Sequence, residues 1–396
     1  MLFSTKNRKE SLFMKLLVFS PYYPPHTGGL ESHSDEFNRN LASKGVRITV
    51  FTPHLPSSSS SIETSYENLI IYRFPAIEPI PNYPLPKFWT KEFWQVWNEI
   101  KGDQHDLVIS RTRFFFTSLM AWRYARKVSI PWVHIEHGSD FARFNSSFKT
   151  LLGKFYDLTI GAFILQRSDL NIANSKASAD FVEQLSHRTD CKVIYRGIEK
   201  DTIQSIAPHS FFSTHFPGKT VIGFIGRLID GKGVADLLEA FSTLNTDTSI
   251  CALVGDGPER ARLEKLITQK NLSGSVVFFG EKPFAEAMAL LKSFDIFVNP
   301  SYTEGIPTAV IEAALCHKAI IATDVGGTKE IITGEDDGFL IPPHNKEELG
   351  KKLSLLLSDA ALRRSFGERA FARVEQKFDW HHATKEYLTL FHKLLP

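Results

Sequence analysis

Cysteine is scarce in this chain, and the three present, Cys191, Cys251 and Cys316, are widely separated with no metal-ligand spacing. Cys251 lies in an apolar strand-like run and Cys316 at a helix end, so both read as core or boundary thiols of a protein in a reducing cytoplasm. Charge of one sign is lacking too: 46 Lys and Arg against 44 Asp and Glu leave a net +2. That balance gives no reason to expect nucleic acid as a partner, but it leaves room for a local basic patch that meets anionic lipid. The apolar run Leu16 to Phe19 is far shorter than a membrane span and Pro21 follows at once, so neither a transmembrane helix nor a signal peptide is expected. No G-x-G-x-x-G follows the first strand, which speaks against a dinucleotide-dependent dehydrogenase. No Asp-x-Asp is placed to hold a metal ion. Asp336-Asp337 reads as a solvated turn, and His381-His382 face different sides of a helix. No metal and no bound cofactor are therefore expected.

What is present is length and alternation. A chain of 396 residues is too long for one ordinary core and suits two domains of roughly 200 residues each. Strand-like and helix-like segments alternate throughout, which argues for parallel sheets covered by helices on both faces. Residues 14–205 read as one domain, from a first strand at Lys15 to Ser20. The irregular stretch from Gly197 to Gly218, with Pro208 and Pro217, reads as a linker. Residues 219–377 form a second βα series, and 378–396 a terminal helix carrying Phe378, Trp380, Tyr387 and Phe391. Residues Met1 to Phe13 are polar and basic, and a disordered extension or a misplaced start is expected there. The serine run Ser57 to Ser61 is expected to be a mobile loop.

The segment from Ser301 to Glu312 is the most informative. An apolar strand ending at Asn299 leads into a short polar loop, Gly305 and Pro307 mark a turn, and Thr308 to Leu315 has helical periodicity. Pro307 is expected at the first helical position, where its missing N–H costs nothing. The N–H groups from Gly305 to Ala309, including Ile306 and Thr308, would point at an anion over the helix. Glu304 and Glu312 would repel a phosphate, so they make sense only if aimed at neutral groups on either side, and sugar hydroxyls fit. The plain alternative is a solvated loop carboxylate and an exposed helix residue. Arg227 and Lys232, after the first strand of the second series, can bring two cations onto one diphosphate, the arginine as a fork and the lysine as a point charge.

These features together resemble glycosyltransferase family 4, whose members have the GT-B fold, retain configuration and use nucleotide sugars. The resemblance rests on Glu304-x7-Glu312, on Gly226-Arg227 with Lys232-Gly233, on Gly255-Asp256-Gly257-Pro258 and on Gly326-Gly327 with Glu330. It implies an α/β fold of two doubly wound Rossmann-like domains facing each other across a cleft, with the terminal helix crossing back to the first. It also implies that the first domain takes the acceptor and the second the nucleotide sugar. Glu304 would accept from the transferred sugar, Glu312 from the ribose, and Arg227 and Lys232 would stabilise the leaving diphosphate without a metal. Gly28-Gly29 resembles the family's first glycine loop, where backbone approaches phosphate or acceptor, and its alternative is a tight turn. His137, at the end of a first-domain strand, matches a histidine that contacts the donor sugar; the alternative is a structural histidine. Glu330 is expected to start a helix. Two departures stand out, Cys316-His317-Lys318-Ala319 at a helix-ending turn and Arg196-Gly197-Ile198-Glu199 near the cleft.

The implied activity is transfer of a hexose from a nucleotide-diphosphate sugar to an acceptor hydroxyl, on a lipid-linked or growing glycan in polysaccharide or glycolipid synthesis. Alternatives are a GT-B epimerase or hydrolase acting on a nucleotide sugar, and a catalytically silent nucleotide-sugar-binding module. Phe88-Trp89, Phe93-Trp94 and Trp97, with Arg111 and Arg113 preceding Phe114 to Phe116, offer a peripheral contact with the inner face of a membrane. Core packing is the other reading of those residues.

Overall fold

The computed structural model describes residues 14–26, 28–55, 60–80, 83–141 and 147–395, so the expectations for residues 1–13 and for most of the serine run lie outside the described residues. The chain divides into two compact units, one of residues 1–174, 178–196 and 380–396, the other of residues 175–177 and 197–379.

The first unit holds β1 (Lys15–Phe19), β2 (Arg47–Pro53), β3 (Ile62–Tyr66), β4 (Leu69–Phe74), β5 (Ala76–Ile80), β6 (Tyr83–Pro86), β7 (Leu107–Arg111), β8 (Trp132–Glu136), β9 (Leu170–Ala173) and β10 (Lys192–Val193). Its main sheet runs β10-β9-β8-β7-β1-β2-β4-β3, and β5 and β6 pair separately. All main-sheet pairs are parallel except β3 with β4. Strand order reverses between β1 and β7, which opens a crevice beyond their carboxyl ends. Side chains alternate along β1: Leu16 and Val18 join the core under the helices Gly29–Ala42 and Trp380–Leu394, while Leu17 and Phe19 join the one under Lys91–Gly102 and Phe116–Val128. Tyr387 and Phe391 of the terminal helix are buried against Phe37 and Leu41, and each such aromatic stabilises by about 1.5–3 kcal/mol.

The expected aromatic face at residues 88–97 is split. Thr90 caps the helix Lys91–Gly102 by accepting from the Phe93 N–H, and this phase turns Phe93 and Trp97 into the core while Trp89 is left 71% exposed. Arg111 and Arg113 are buried as well, so they do not offer charge to a membrane. Burial of two guanidiniums requires internal partners, described below.

The second unit holds β11 (Thr220–Ile225), β12 (Ser249–Val254), β13 (Val276–Gly280), β14 (Ile296–Asn299), β15 (Ala319–Thr323) and β16 (Phe339–Ile341), all parallel, in the order β13-β12-β11-β14-β15-β16. Its switch point lies between β11 and β14. Three local expectations are corrected. Pro307 is the N-cap of the helix Thr308–Leu315 rather than its first residue, with extended backbone. Glu330 ends a short 3-10 turn, Thr328–Glu330, and starts no helix. Asp337 is buried rather than solvated, because its carboxylate accepts from the Thr333 and Gly334 N–H groups and closes that turn.

Candidate functional site

In the second unit the loops after β11 and β14 meet at the switch point. Their approach depends on glycine at two places. Gly233 has φ +64, and a Cβ there would lie 2.0 Å from the Pro300 carbonyl oxygen; at Gly255, φ +131, it would lie 1.9 Å from that of Gly226. Gly226 donates to the Val254 carbonyl at 3.0 Å, and Leu228 donates to the Asp256 carbonyl at 2.9 Å and accepts from Glu259 at 3.0 Å, so the backbone on both sides of Arg227 is held while its side chain is exposed. Tyr302 N–H donates to the Gly231 carbonyl at 2.9 Å. This brings Lys232 Nζ to 2.6 Å from Glu304 Oε1, with the two side chains 26% and 11% exposed. A partly solvated pair of this kind contributes about 0–1 kcal/mol, too little to explain the convergence of two loops.

Gly327 N–H donates to the Gly305 carbonyl at 2.7 Å, fixing the turn ahead of the helix. The helical ladder begins where Val310 N–H donates to the Pro307 carbonyl at 3.1 Å, so N–H groups ahead of it point out of the helix end. Ile306 and Pro307 are buried and Thr308 is half-buried at this end, and Glu312 is half-buried one turn further on. Two cations follow β11 and two carboxylates follow β14, either side of the crevice where such sheets bind ligands. Glu330 instead accepts from the N–H groups of Lys176 and Ala177, at 2.7 and 3.0 Å. Among the described residues no three His, Cys, Asp or Glu gather as metal ligands.

The first unit differs. Gly28 caps the helix Gly29–Ala42 and Gly29 is its first residue, and the Glu31 carboxylate folds back over Gly28 while Gly29 stays open. A Cβ at Gly28 would lie 2.4 Å from Glu31 Oε2, and Glu31 Oε1 is 2.6 Å from His26 Nδ1. The chain's own carboxylate thus lies beside Gly28, which disfavours phosphate there and leaves close approach of a neutral acceptor group open.

His137 sits past β8. Its N–H and that of Gly138 donate to Glu136 Oε1 at 2.9 and 2.8 Å. Behind them lies a buried network that sequence reading missed: Arg113 pairs with Glu136 at 3.2 Å and with both Asp157 oxygens at 3.0 Å. Burial would raise the Glu136 carboxyl, but Arg113 and the His134 hydrogen bond outweigh it and hold Glu136 well below the usual carboxylate range.

The imidazoles are set by their donors. Arg111 Nη1 lies 3.1 Å from His33 Nδ1, and since a guanidinium only donates, the His33 proton is on Nε2. Asn174 Nδ2 lies 3.3 Å from His137 Nδ1 and fixes the same tautomer there. Both Nε2 atoms are buried without a hydrogen-bond partner among the described residues, and the two rings meet edge to face at 4.8 Å. Burial first, then the Arg111 charge, hold His137 down to about 3. His33 is also pushed well below the ordinary value, by burial, His137 and Arg111. His137 is therefore a neutral N–H donor. The sequence signals for this cluster were His137 at a strand end and Arg111-x-Arg113 at the end of a strand beside the switch point.

Comparison with known proteins agrees with the architecture. Residues 206–373 match the family described as glycosyl transferases group 1, and residues 27–202 match Glycosyltransferase Family 4. An uncharacterized glycosyltransferase of Methanocaldococcus jannaschii is 35% identical over 390 residues, 96% of this chain and 99% of the relative. The N,N'-diacetylbacillosaminyl-diphospho-undecaprenol alpha-1,3-N-acetylgalactosaminyltransferase of Campylobacter jejuni is 34% identical over 180 residues, 45% of this chain and 46% of that enzyme. Sucrose-phosphate synthase of Thermosynechococcus elongatus shares the fold at a TM-score of 0.83 and 20% identity, covering 96% of this chain and 99% of that one. Anabaena HepE in complex with UDP-glucose does so at 0.76 and 19%, covering 96% and 100%. With both halves matched and a full-length relative at 35% identity, the chain belongs to the GT-B glycosyltransferases of family 4.

Proposed function

We propose that this glycosyltransferase moves a hexose, with retention of configuration and without a metal ion, from a nucleotide-diphosphate sugar to a hydroxyl of a lipid-linked or growing glycan. The observation that carries the reading is the placement of Arg227 and Lys232 after β11 and of Glu304 and Glu312 after β14, on the two sides of one switch point. Arg227 forks onto the diphosphate. Lys232 has three N–H donors and can hold Glu304 and a phosphate oxygen together. Glu304 accepts from hydroxyls of the transferred sugar, Glu312 from the ribose, and the helix end at Gly305 to Thr308 faces the phosphate charge.

In the step itself the bond from C1 of the sugar to the diphosphate oxygen breaks, and the acceptor oxygen bonds to C1 on the same face. The acceptor proton passes to the departing phosphate oxygen. The two cations stabilise the charge that develops on the diphosphate, the contribution expected to matter most. His137 offers its neutral N–H to the sugar. Gly28 and Gly29 approach a neutral hydroxyl, because the Glu31 carboxylate beside them would repel phosphate. The Campylobacter relative's name, which places its acceptor on undecaprenyl diphosphate, supports a lipid-linked acceptor, and the UDP-glucose complex of HepE supports a uridine donor.

A thermal-shift panel of UDP- and GDP-sugars tests the reading. One donor should raise the melting temperature of the wild type and fail to do so with Glu312→Ala. No shift with any nucleotide sugar would end it. With the donor known, the product anomer, read by NMR with and without a chelator, tests retention and metal independence; an inverted product or turnover lost to the chelator would overturn those parts.

A further inference from the structure

The first unit carries a helix built inside out. Ser147–Tyr156 continues through a π turn, Asp157–Gly161, into the helix Ala162–Arg167. Up to the end of the π turn the side that packs inward carries Gly153, Asp157 and Gly161, all buried; beyond it Ile164 and Leu165 pack inward in the ordinary way. Asp157 is fastened there by Arg113, and a Cβ on Gly161 would lie 3.2 Å from Asp157 Oδ1 and 3.4 Å from Arg113 Cδ, so small residues are required on this side. The outward side is Phe148, Leu151, Leu152, Phe155 and Leu158, which are between 52% and 69% exposed. A surface helix ordinarily does the reverse, apolar side in and charge out.

We propose that this face docks onto an anionic lipid surface. Charge complementarity selects that occupant. From Phe141 to Tyr156 the sequence holds no carboxylate, and Asp157, the first one after it, is turned inward and paired with Arg113. Exposed Lys149 and Lys154 fall, at 3.6 residues per turn, on opposite margins of the apolar stripe. Lysines there can reach lipid phosphates while the stripe enters the acyl boundary, the arrangement of a helix lying in a membrane interface. The inference places the membrane contact away from Arg111 and Arg113, and it fits the lipid-linked acceptor of the proposed function without depending on the donor chemistry.

The test is flotation of the full chain with vesicles of phosphatidylcholine, with and without phosphatidylglycerol. Wild type should float with the anionic vesicles, and rising salt should weaken it. Leu151→Ser with Phe155→Ser should lower the partition coefficient about a hundredfold; Lys149→Gln or Lys154→Gln should lower it about fivefold. Each variant should keep the wild-type melting temperature and donor-induced shift, which separates lost docking from lost fold. Failure of wild type to float, or undiminished flotation of the serine variant, would overturn the proposal. So would a wild-type dimer in light scattering that the same two substitutions dissociate, since the occupant would then be a second copy. Flotation without any donor shift would sink the proposed function and leave the docking face standing.

Discussion

The two units have the same design and use it differently. Each is a doubly wound sheet with a switch point, β1 beside β7 in one and β11 beside β14 in the other. Past β11 the cationic side chains stay in contact with water: Arg227 is exposed and Lys232 partly so. Past β7 they turn inward, where Arg113 is locked between Glu136 and Asp157 and Arg111 against His33. The lesson is that a switch point offers a place for charge without deciding its use. Solvated charge can be lent to a ligand, whereas the charge of Arg113 is committed to its carboxylates because separating them leaves an ion unpaired in a poor solvent. Among the described residues Arg111 is held only by His33 and the Phe37 ring, with Nε and Nη2 unpartnered.

That contrast can be broken most directly at the arginines. Arg113→Met should cost about 3–5 kcal/mol in urea unfolding, because Glu136 and Asp157 would stay buried without their cation. The same change at Arg227 should move stability by no more than about 0.5 kcal/mol. Equal effects at both positions would erase the distinction. For turnover the order should invert, with Arg227→Ala losing on the order of a hundredfold or more; unchanged turnover would remove Arg227 from the site.

Acid should act on the first unit next. His137, held at about 3 against an ordinary 6.5, and His33, also lowered, stay neutral when folded. Between pH 6.5 and 3 the unfolded chain binds protons that the folded one refuses. Stability therefore falls as the pH is lowered through this range, by up to about 1.4 kcal/mol per pH unit for each histidine. The lowered Glu136 carboxyl adds in the same direction once pH drops below its unfolded value of about 4.5. Unfolding curves at pH 7 and pH 5 check this, and identical midpoints would mean the imidazoles titrate freely. The smallest effect belongs to the second unit. Lys232→Met should change stability by at most about 1 kcal/mol yet abolish the donor-induced thermal shift; a large stability loss would make the Lys232–Glu304 pair structural.

The candidate site in the second unit was legible as a cluster because its parts are local. Glu304, Gly305, Pro307 and Glu312 fall within one loop and two helical turns, and Arg227 and Lys232 within one loop, so spacing along the chain nearly equals spacing in space. The first unit was not legible in this way. Arg113 meets Glu136 and Asp157 across separations of 23 and 44 residues, and nothing near Arg113 in sequence marks it as buried. Glu31 was likewise unread as the occupant of the Gly28 turn, though it stands three residues away, because a first-turn glutamate also fits a solvated position.

Taken alone, the order of residues determined the α/β class, the two-part organisation, the strands other than β3 to β6 and the cationic and acidic pairs of the second switch point. Hydrophobic periodicity and turn chemistry depend on neighbours in the chain. Tertiary structure decided that Arg111 and Arg113 are internal, that His33 and His137 are neutral, and that Gly153, Asp157 and Gly161 rather than Phe148, Leu151 and Phe155 face the core. Periodicity shows that a helix has two faces, but which one is buried depends on what a distant segment brings against it, here the guanidinium of Arg113 and the close approach that only small residues allow.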